Sequence, residues 1–287
     1  MAMRCSLRVL ISLPLGPMAH SDKSKVRPKK YLGQHFLHDR NTAVRIVNSL
    51  TLPSGRTVSV LEIGPGMGVL TGLLQTRPEV DLKVVEIDRE SVEYLKTQLH
   101  LDPARIIEGD FLVLDLDGVF EGNFSVIGNF PYNISSQIFF RLLEYRDHVD
   151  EVVCMLQKEV AERIASPPGS KVYGILSVLI QAWYEVSYLF SVSPGVFTPP
   201  PKVVSAVIRL RRNGRQHLPC DEKLFVQVVR QGFNNRRKTL RNALKNLNLA
   251  GAVSSLALMD KRAEQLSVED FFQLTRLIEE SRAATGT

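Results

Sequence analysis

Cysteine is scarce in this chain. Cys5, Cys154 and Cys220 are its three cysteines, far apart in 287 residues. That spacing excludes a disulfide framework and a cysteine metal site, and no other metal-ligand cluster is evident. A reducing compartment suits this usage, and Cys154, in an apolar segment, reads as plain core. Long apolar runs are also missing: none approaches the ~18 residues of a membrane span. No internal repeat or low-complexity tract organises the chain. Acids are sparse in one region, residues 202–262, which hold 14 Lys and Arg against 3 Asp and Glu. A local excess of that size is the footprint of a nucleic-acid partner, with a merely solvated basic face as the alternative. The remaining composition, 44% apolar over 287 residues, supports a full core and suits one large domain with a smaller one.

Against these absences stands Asn129-Phe130-Pro131-Tyr132. It follows a short apolar run, Phe124 to Gly128, that reads as a buried strand. The tetrad then lies at a strand's C-terminal end, where open α/β sheets hold their ligands. An Asn side-chain oxygen and a backbone carbonyl beside Pro131 can both accept N–H bonds from an amino group on a flat ring. Pro131 fixes the backbone between them, and Tyr132 offers a face for stacking. A plain turn also uses Asn and Pro, so the surrounding segments decide.

Val58 to Ile63 is a strand pattern running into Gly64-Pro65-Gly66-Met67-Gly68, where glycines allow a sharp turn and close approach to a ligand. The next strand, Lys83 to Ile87, carries Glu86 near its end, about 20 residues after the first glycine, the offset of a ribose-binding acid. A third strand, Arg105 to Glu108, leads to Asp110, placed to accept a bond from an adenine amino group. Four strand ends each carry a polar residue of a suitable type. Surface acids at loop starts would explain Glu86 or Asp110 singly, but not all four together.

At this point the chain closely resembles the adenine dimethyltransferases of small-subunit ribosomal RNA, the KsgA family. The likeness includes Lys30-Tyr-Leu-Gly-Gln-His-Phe-Leu37, Leu61-Glu-Ile-Gly-Pro-Gly66, Phe197-Thr-Pro-Pro-Pro-Lys-Val-Val-Ser-Ala206 and Phe233 to Asn242, which is like the family's basic helix. It runs from about Pro28 to the end. The resemblance implies a Rossmann-like class I methyltransferase fold of the α/β class and S-adenosylmethionine as methyl donor. It implies cofactor contacts at His35, Leu37, Gly64, Gly66, Glu86, Asp110 and Asn129. Asn129, Pro131, Tyr132 and Phe197 would carry catalysis, with Phe197 packing on the target adenine. Arg236, Arg237, Lys238 and Arg241 would contact RNA. The implied reaction methylates two adjacent adenosines near the 3′ end of 16S rRNA in the small ribosomal subunit, to dimethyladenosine, late in ribosome biogenesis. Position 35 is His where the family commonly has Asn, and Phe130 replaces a frequent Leu; the latter should alter only packing.

Strand and helix patterns alternate to about residue 185, predicting a parallel sheet with helices on both faces. Thr42–Leu50 and Tyr173–Trp183 read as helices, Glu151–Leu156 as a fifth strand, and Val186–Val192 with Val203–Leu210 as a closing hairpin. Trp183 reads as core. A catalytic domain of residues 28–212 and a helical RNA-binding domain of residues 218–287 are expected, the latter with helices over Glu222–Asn234, Thr239–Leu247 and Val268–Glu280. Residues 1–27 are expected to be a disordered extension, although their basic, apolar start leaves a transit role open. A cytoplasmic monomer is expected. Competing functions are a macrolide-resistance type methyltransferase of large-subunit rRNA and a mainly non-catalytic ribosome-assembly checkpoint. A dehydrogenase lacks its hydride-transfer constellation here, and a DNA adenine methyltransferase lacks its extra recognition segments.

Overall fold

Runs of β-branched residues, apolar on both faces, alternate with amphipathic stretches and build a seven-stranded sheet covered on two sides. The structure is a computed structural model and describes residues 26–52, 55–247, 249 and 251–285. In chain order its elements are β1 (Phe36–Leu37), α1 (Arg40–Val47), β2 (Val58–Ile63), α2 (Thr71–Leu74), β3 (Val80–Glu86), α3 (Arg89–Thr97) and β4 (Ile106–Glu108). Then come β5 (Phe124–Asn129), α4 (Ser135–Glu144), β6 (Val149–Gln157), α5 (Lys158–Ala165), α6 (Ile175–Gln181), β7 (Tyr184–Val192), β8 (Phe197–Thr198) and β9 (Ser205–Arg212). Four helices close the chain: α7 (Glu222–Asn234), α8 (Leu240–Ala243), α9 (Gly251–Ser254) and α10 (Val268–Thr285).

The sheet order is β4-β3-β2-β5-β6-β9-β7. Strands β4 to β6 run parallel, and the β7–β9 hairpin closes the edge antiparallel. Side-chain alternation sorts the interior into two cores. Val126, Val152 and Cys154 join α4, α5 and α6, while Ile127, Val153 and Met155 join α1, α2 and α3. The expected parallel sheet, the hairpin and the core placement of Cys154 and Trp183 therefore stand; Trp183 packs beneath the guanidinium of Arg146, 4.2 Å from the ring centroid.

The C-terminal helices share the first core. Phe225 and Phe272 pack at 5.0 Å, and Phe233 meets Tyr173 edge-on at 6.0 Å. Asp221 caps α7 by accepting from Leu224 N–H at 2.7 Å, and Ser267 accepts from Asp270 N–H at 3.0 Å ahead of α10. The single helix expected over Thr239–Leu247 is instead α8 followed by a 3₁₀ turn, Lys245–Leu247; Asn242 and Asn246 are weak helix formers. The expected N-terminal extension lies outside the described residues up to position 25, and Val26 is already buried. No helix among the described residues is long and apolar enough to cross a membrane.

Candidate active site

The order in which strands are added to the sheet reverses between the parallel neighbours β2 and β5, since β3 and β4 extend to one side of β2 and β5 to the other. A crevice opens there beyond the strand ends. Gly128, one residue before the end of β5, makes the close approach possible: a Cβ there would sit 2.6 Å from the Ile63 carbonyl oxygen. Gly66 takes φ +55°, and its Cβ would lie 2.8 Å from the Phe36 ring. The resulting cavity holds about 230 Å³ and is lined by the glycine loop, Glu86, Asp110, Asn129, Pro131, Tyr132 and the segment Tyr31–Leu37.

Glu86 is buried at the end of β3. Its carboxylate accepts from Gly66 N–H at 3.0 Å and from Asp88 N–H at 2.8 Å. Burial raises its pKa above the ordinary carboxylate value. These bonds tie the acid to the glycine loop and to the turn after β3, and Glu86 lines the cavity. One oxygen of Asp110 accepts from Leu112 N–H at 2.9 Å, which leaves the other for a ligand.

Segment 29–37 crosses the crevice as a strap, a feature the motifs did not reveal. Its first end is pinned by Lys29, which forms a short ion pair with Asp88 and a second one with Glu90 at 3.2 Å. Burial alone would push the Asp88 carboxyl up, but hydrogen bonds from Lys29, Ser91 and Gln34 outweigh it and hold it below the usual range. The far end is pinned by an antiparallel pairing of β1 with β8, Leu37 opposite Phe197. No sequence signal distinguishes Lys29 from other surface lysines. Glu62 was equally overlooked. It is 1% exposed in β2, lines the cavity and accepts from Thr71 Oγ1 at 2.7 Å. Its signal was a lone acid inside an apolar strand.

The tetrad is arranged around one decisive bond. Asn129 donates through Nδ2 to the His35 carbonyl at 2.9 Å. A carbonyl only accepts, so the nitrogen faces it and the Asn129 Oδ1 is left as a free-standing acceptor. The Pro131 carbonyl accepts from Ile134 N–H at 3.2 Å, leaving the Phe130 carbonyl as the second acceptor. Tyr132 is held at its hydroxyl, 2.5 Å from Ser205 Oγ, and by the His35 ring stacked at 5.3 Å. Burial raises the Tyr132 pKa, so the phenol stays protonated. Phe130 is buried against Phe139, 5.8 Å away edge-on, a packing role as expected.

Phe197 departs from expectation. It is 2% exposed and packs in the core under β8, outside the cavity lining. Pairing with Leu37 turns its ring inward, so in this structure it offers no face to a base.

The model of the family described as "Ribosomal RNA adenine dimethylase" matches residues 25–280. The chain belongs to that family. Among its relatives, the Ribosomal RNA small subunit methyltransferase A of Cytophaga hutchinsonii is 57% identical over 254 residues, covering 88% of this chain and 98% of that one. The protein of the same name from Parabacteroides distasonis is 58% identical over 251 residues, covering 87% and 93%. Similar crystal structures include the following two. A dimethyladenosine transferase from Plasmodium falciparum has a TM-score of 0.71 at 26% identity, over 84% of this chain and 96% of that one. The 23S rRNA methyltransferase ErmE has a TM-score of 0.60 at 26% identity, over 84% and 99%. This dimethylase is therefore an rRNA adenine methyltransferase with the class I sheet that the motifs implied.

The basic set of the dimethylase divides in two. Residues 235–239 form a turn between α7 and α8 rather than a helix. Arg236 pairs with Glu264 at 3.2 Å and donates to the Lys171 carbonyl. Arg241 pairs with Asp260 at 2.7 Å and donates to the Ser254 carbonyl. Arg237 and Lys238 are exposed and, among the described residues, carry no ion pair. Among the described residues no group of three or more His, Cys, Asp or Glu is placed to hold a metal.

Proposed function

We propose that this dimethylase transfers methyl groups from S-adenosylmethionine to the exocyclic amino groups of two adjacent adenosines near the 3′ end of 16S rRNA. The substrate would be the small ribosomal subunit, the products dimethyladenosines, and the step a late one in ribosome maturation in the cytoplasm. The observation that carries the chemistry is Asn129, whose Nδ2 is tied to the His35 carbonyl so that Oδ1 must accept. The small-subunit assignment is supported by relatives of that name at 57% and 58% identity.

The donor set fits the cofactor. Glu86 suits two ribose hydroxyls and the free oxygen of Asp110 an adenine amino group. Ile87, Phe111 and Leu112 supply apolar walls for a flat base. When bound, S-adenosylmethionine supplies a methyl on positive sulfur, electrophilic enough to dispense with a strong base. The chain's own residues then act on the target. A base within a duplex must be flipped out, at a cost of a few kcal/mol. Stacking on Tyr132 offsets it by roughly 1–3 kcal/mol. Asn129 Oδ1 and the Phe130 carbonyl would accept hydrogen bonds from the two amino N–H groups and favour a tetrahedral nitrogen whose lone pair can take the methyl; the N–H made acidic by methylation would then give its proton to solvent. Alignment contributes up to about 7–11 kcal/mol in favourable cases. A monomethylated amine keeps one N–H and satisfies one acceptor only, so holding it for the second transfer falls to stacking.

The test is methyl transfer from labelled S-adenosylmethionine to unmethylated small subunits, with large subunits and duplex DNA as controls, followed by mass analysis of the nucleosides. Dimethyladenosine from small subunits alone is expected. Label on large subunits would move the assignment to the macrolide-resistance type, and no label anywhere would favour a binding protein. A mainly non-catalytic checkpoint role predicts that Asn129→Ala still supports normal subunit maturation.

A further inference from the structure

The Tyr132 ring is held at two points, and His35 supplies the second. Its imidazole lies against one face of the phenol at 5.3 Å between centroids, with 28° between the planes. That separation leaves no room for a base between the rings, since two successive stacks would need roughly 7 Å between the outer two. The base must therefore take the opposite face of Tyr132. His35 is itself fixed. Its Nδ1 lies 2.7 Å from the Pro199 carbonyl, an atom that only accepts, so the proton sits on Nδ1 and His35 donates. Its own backbone carbonyl receives Asn129 Nδ2 at 2.9 Å. One residue thus touches the acceptor, the stacking ring and the Pro199–Pro201 loop. The common residue at this position in the resembled family, Asn, has no ring to lay on Tyr132.

We infer that His35 is a positioning residue for the target adenine, its imidazole backing the Tyr132 ring in a three-layer stack of imidazole, phenol and base. The inference rests on the methyltransferase reading above. Its consequence falls mainly on the second transfer, where one of the two N–H anchors is gone and stacking retains the base. A loosened Tyr132 releases the monomethylated base early.

The experiment uses the full chain and unmethylated small subunits. It measures the ratio of monomethyl- to dimethyladenosine during turnover, with kcat, KM for subunits and cofactor affinity measured separately. His35→Ala keeps the backbone carbonyl that orients Asn129 and removes the ring. The monomethyl share is expected to rise about fivefold, as loss of one aromatic pair implies, and cofactor affinity to change by less than that because the backbone at position 35 is kept. His35→Asn guards against misfolding by Ala and should show the same rise, because it too lacks a ring. His35→Phe restores the stack without the Pro199 bond and should return the ratio toward the original. An unchanged ratio in His35→Ala and His35→Asn overturns the inference. So does His35→Phe behaving like His35→Ala, or a defect confined to cofactor affinity. Failure of the unmutated chain to make dimethyladenosine overturns the methyltransferase reading as well, and is distinguishable because it needs no variant.

Discussion

Glu62 gives the dimethylase a stability that depends on pH in a calculable way. Burial pushes its carboxyl from 4.5 up to about 8, against the pull of the Thr71 hydrogen bond and with a further push from Glu86. The folded chain therefore keeps this proton to about pH 8, whereas the unfolded chain releases it near pH 4.5. Between those values folding must take up a proton, so stability falls as pH rises. Each pH unit is worth about 1.4 kcal/mol, which makes the loss about 3 kcal/mol by pH 7. Glu62→Gln preserves an acceptor for Thr71 and cannot titrate. Urea unfolding of the cofactor-free protein and of this variant, from about pH 5 to pH 8, isolates the effect, because the other titrating groups cancel in the difference. The variant should gain about 1.4 kcal/mol per pH unit over the original chain. A difference that stays constant across the window would mean that Glu62 is ionised in the fold, and would refute the reasoning.

Asn129→Ala removes the oriented acceptor and should lower kcat by about 100- to 1000-fold, the usual cost of one preorganised hydrogen-bonding group. Cofactor affinity, read by calorimetry, should fall far less; near-normal dimethylation by this variant would exclude the mechanism. Arg237→Ala should weaken RNA binding and reduce the salt slope by about 0.7–0.9, one phosphate's worth. Arg236→Ala should leave that slope intact and lower the melting temperature instead, because its guanidinium braces Glu264 and the Lys171 carbonyl. The reverse pattern would return Arg236 to the phosphate-binding set.

Much of this molecule was legible in its sequence because the signals are local. Strand β2 coincides with the apolar run Val58–Ile63 and α7 with Glu222–Asn234, since period and capping act over a few residues. Gly64, Glu86, Asp110 and Asn129 could be placed at strand ends, and the sheet order then brings them to one crevice without further information. The remainder depended on partners far apart in the chain. Only pairing with Leu37 turned Phe197 into the core. Only the packing of the C-terminal helices brought Glu264 and the Lys171 carbonyl to Arg236. Lys29 reached Asp88 over a sequence separation of 59, and Asn129 reached His35 over one of 94. Composition and periodicity dictate which backbone elements form and which faces are apolar. They do not dictate which donor meets which acceptor. Hydrogen bonds and ion pairs need atoms within about 3 Å, and that proximity arises only when the sheet, the strap and the C-terminal helices have packed.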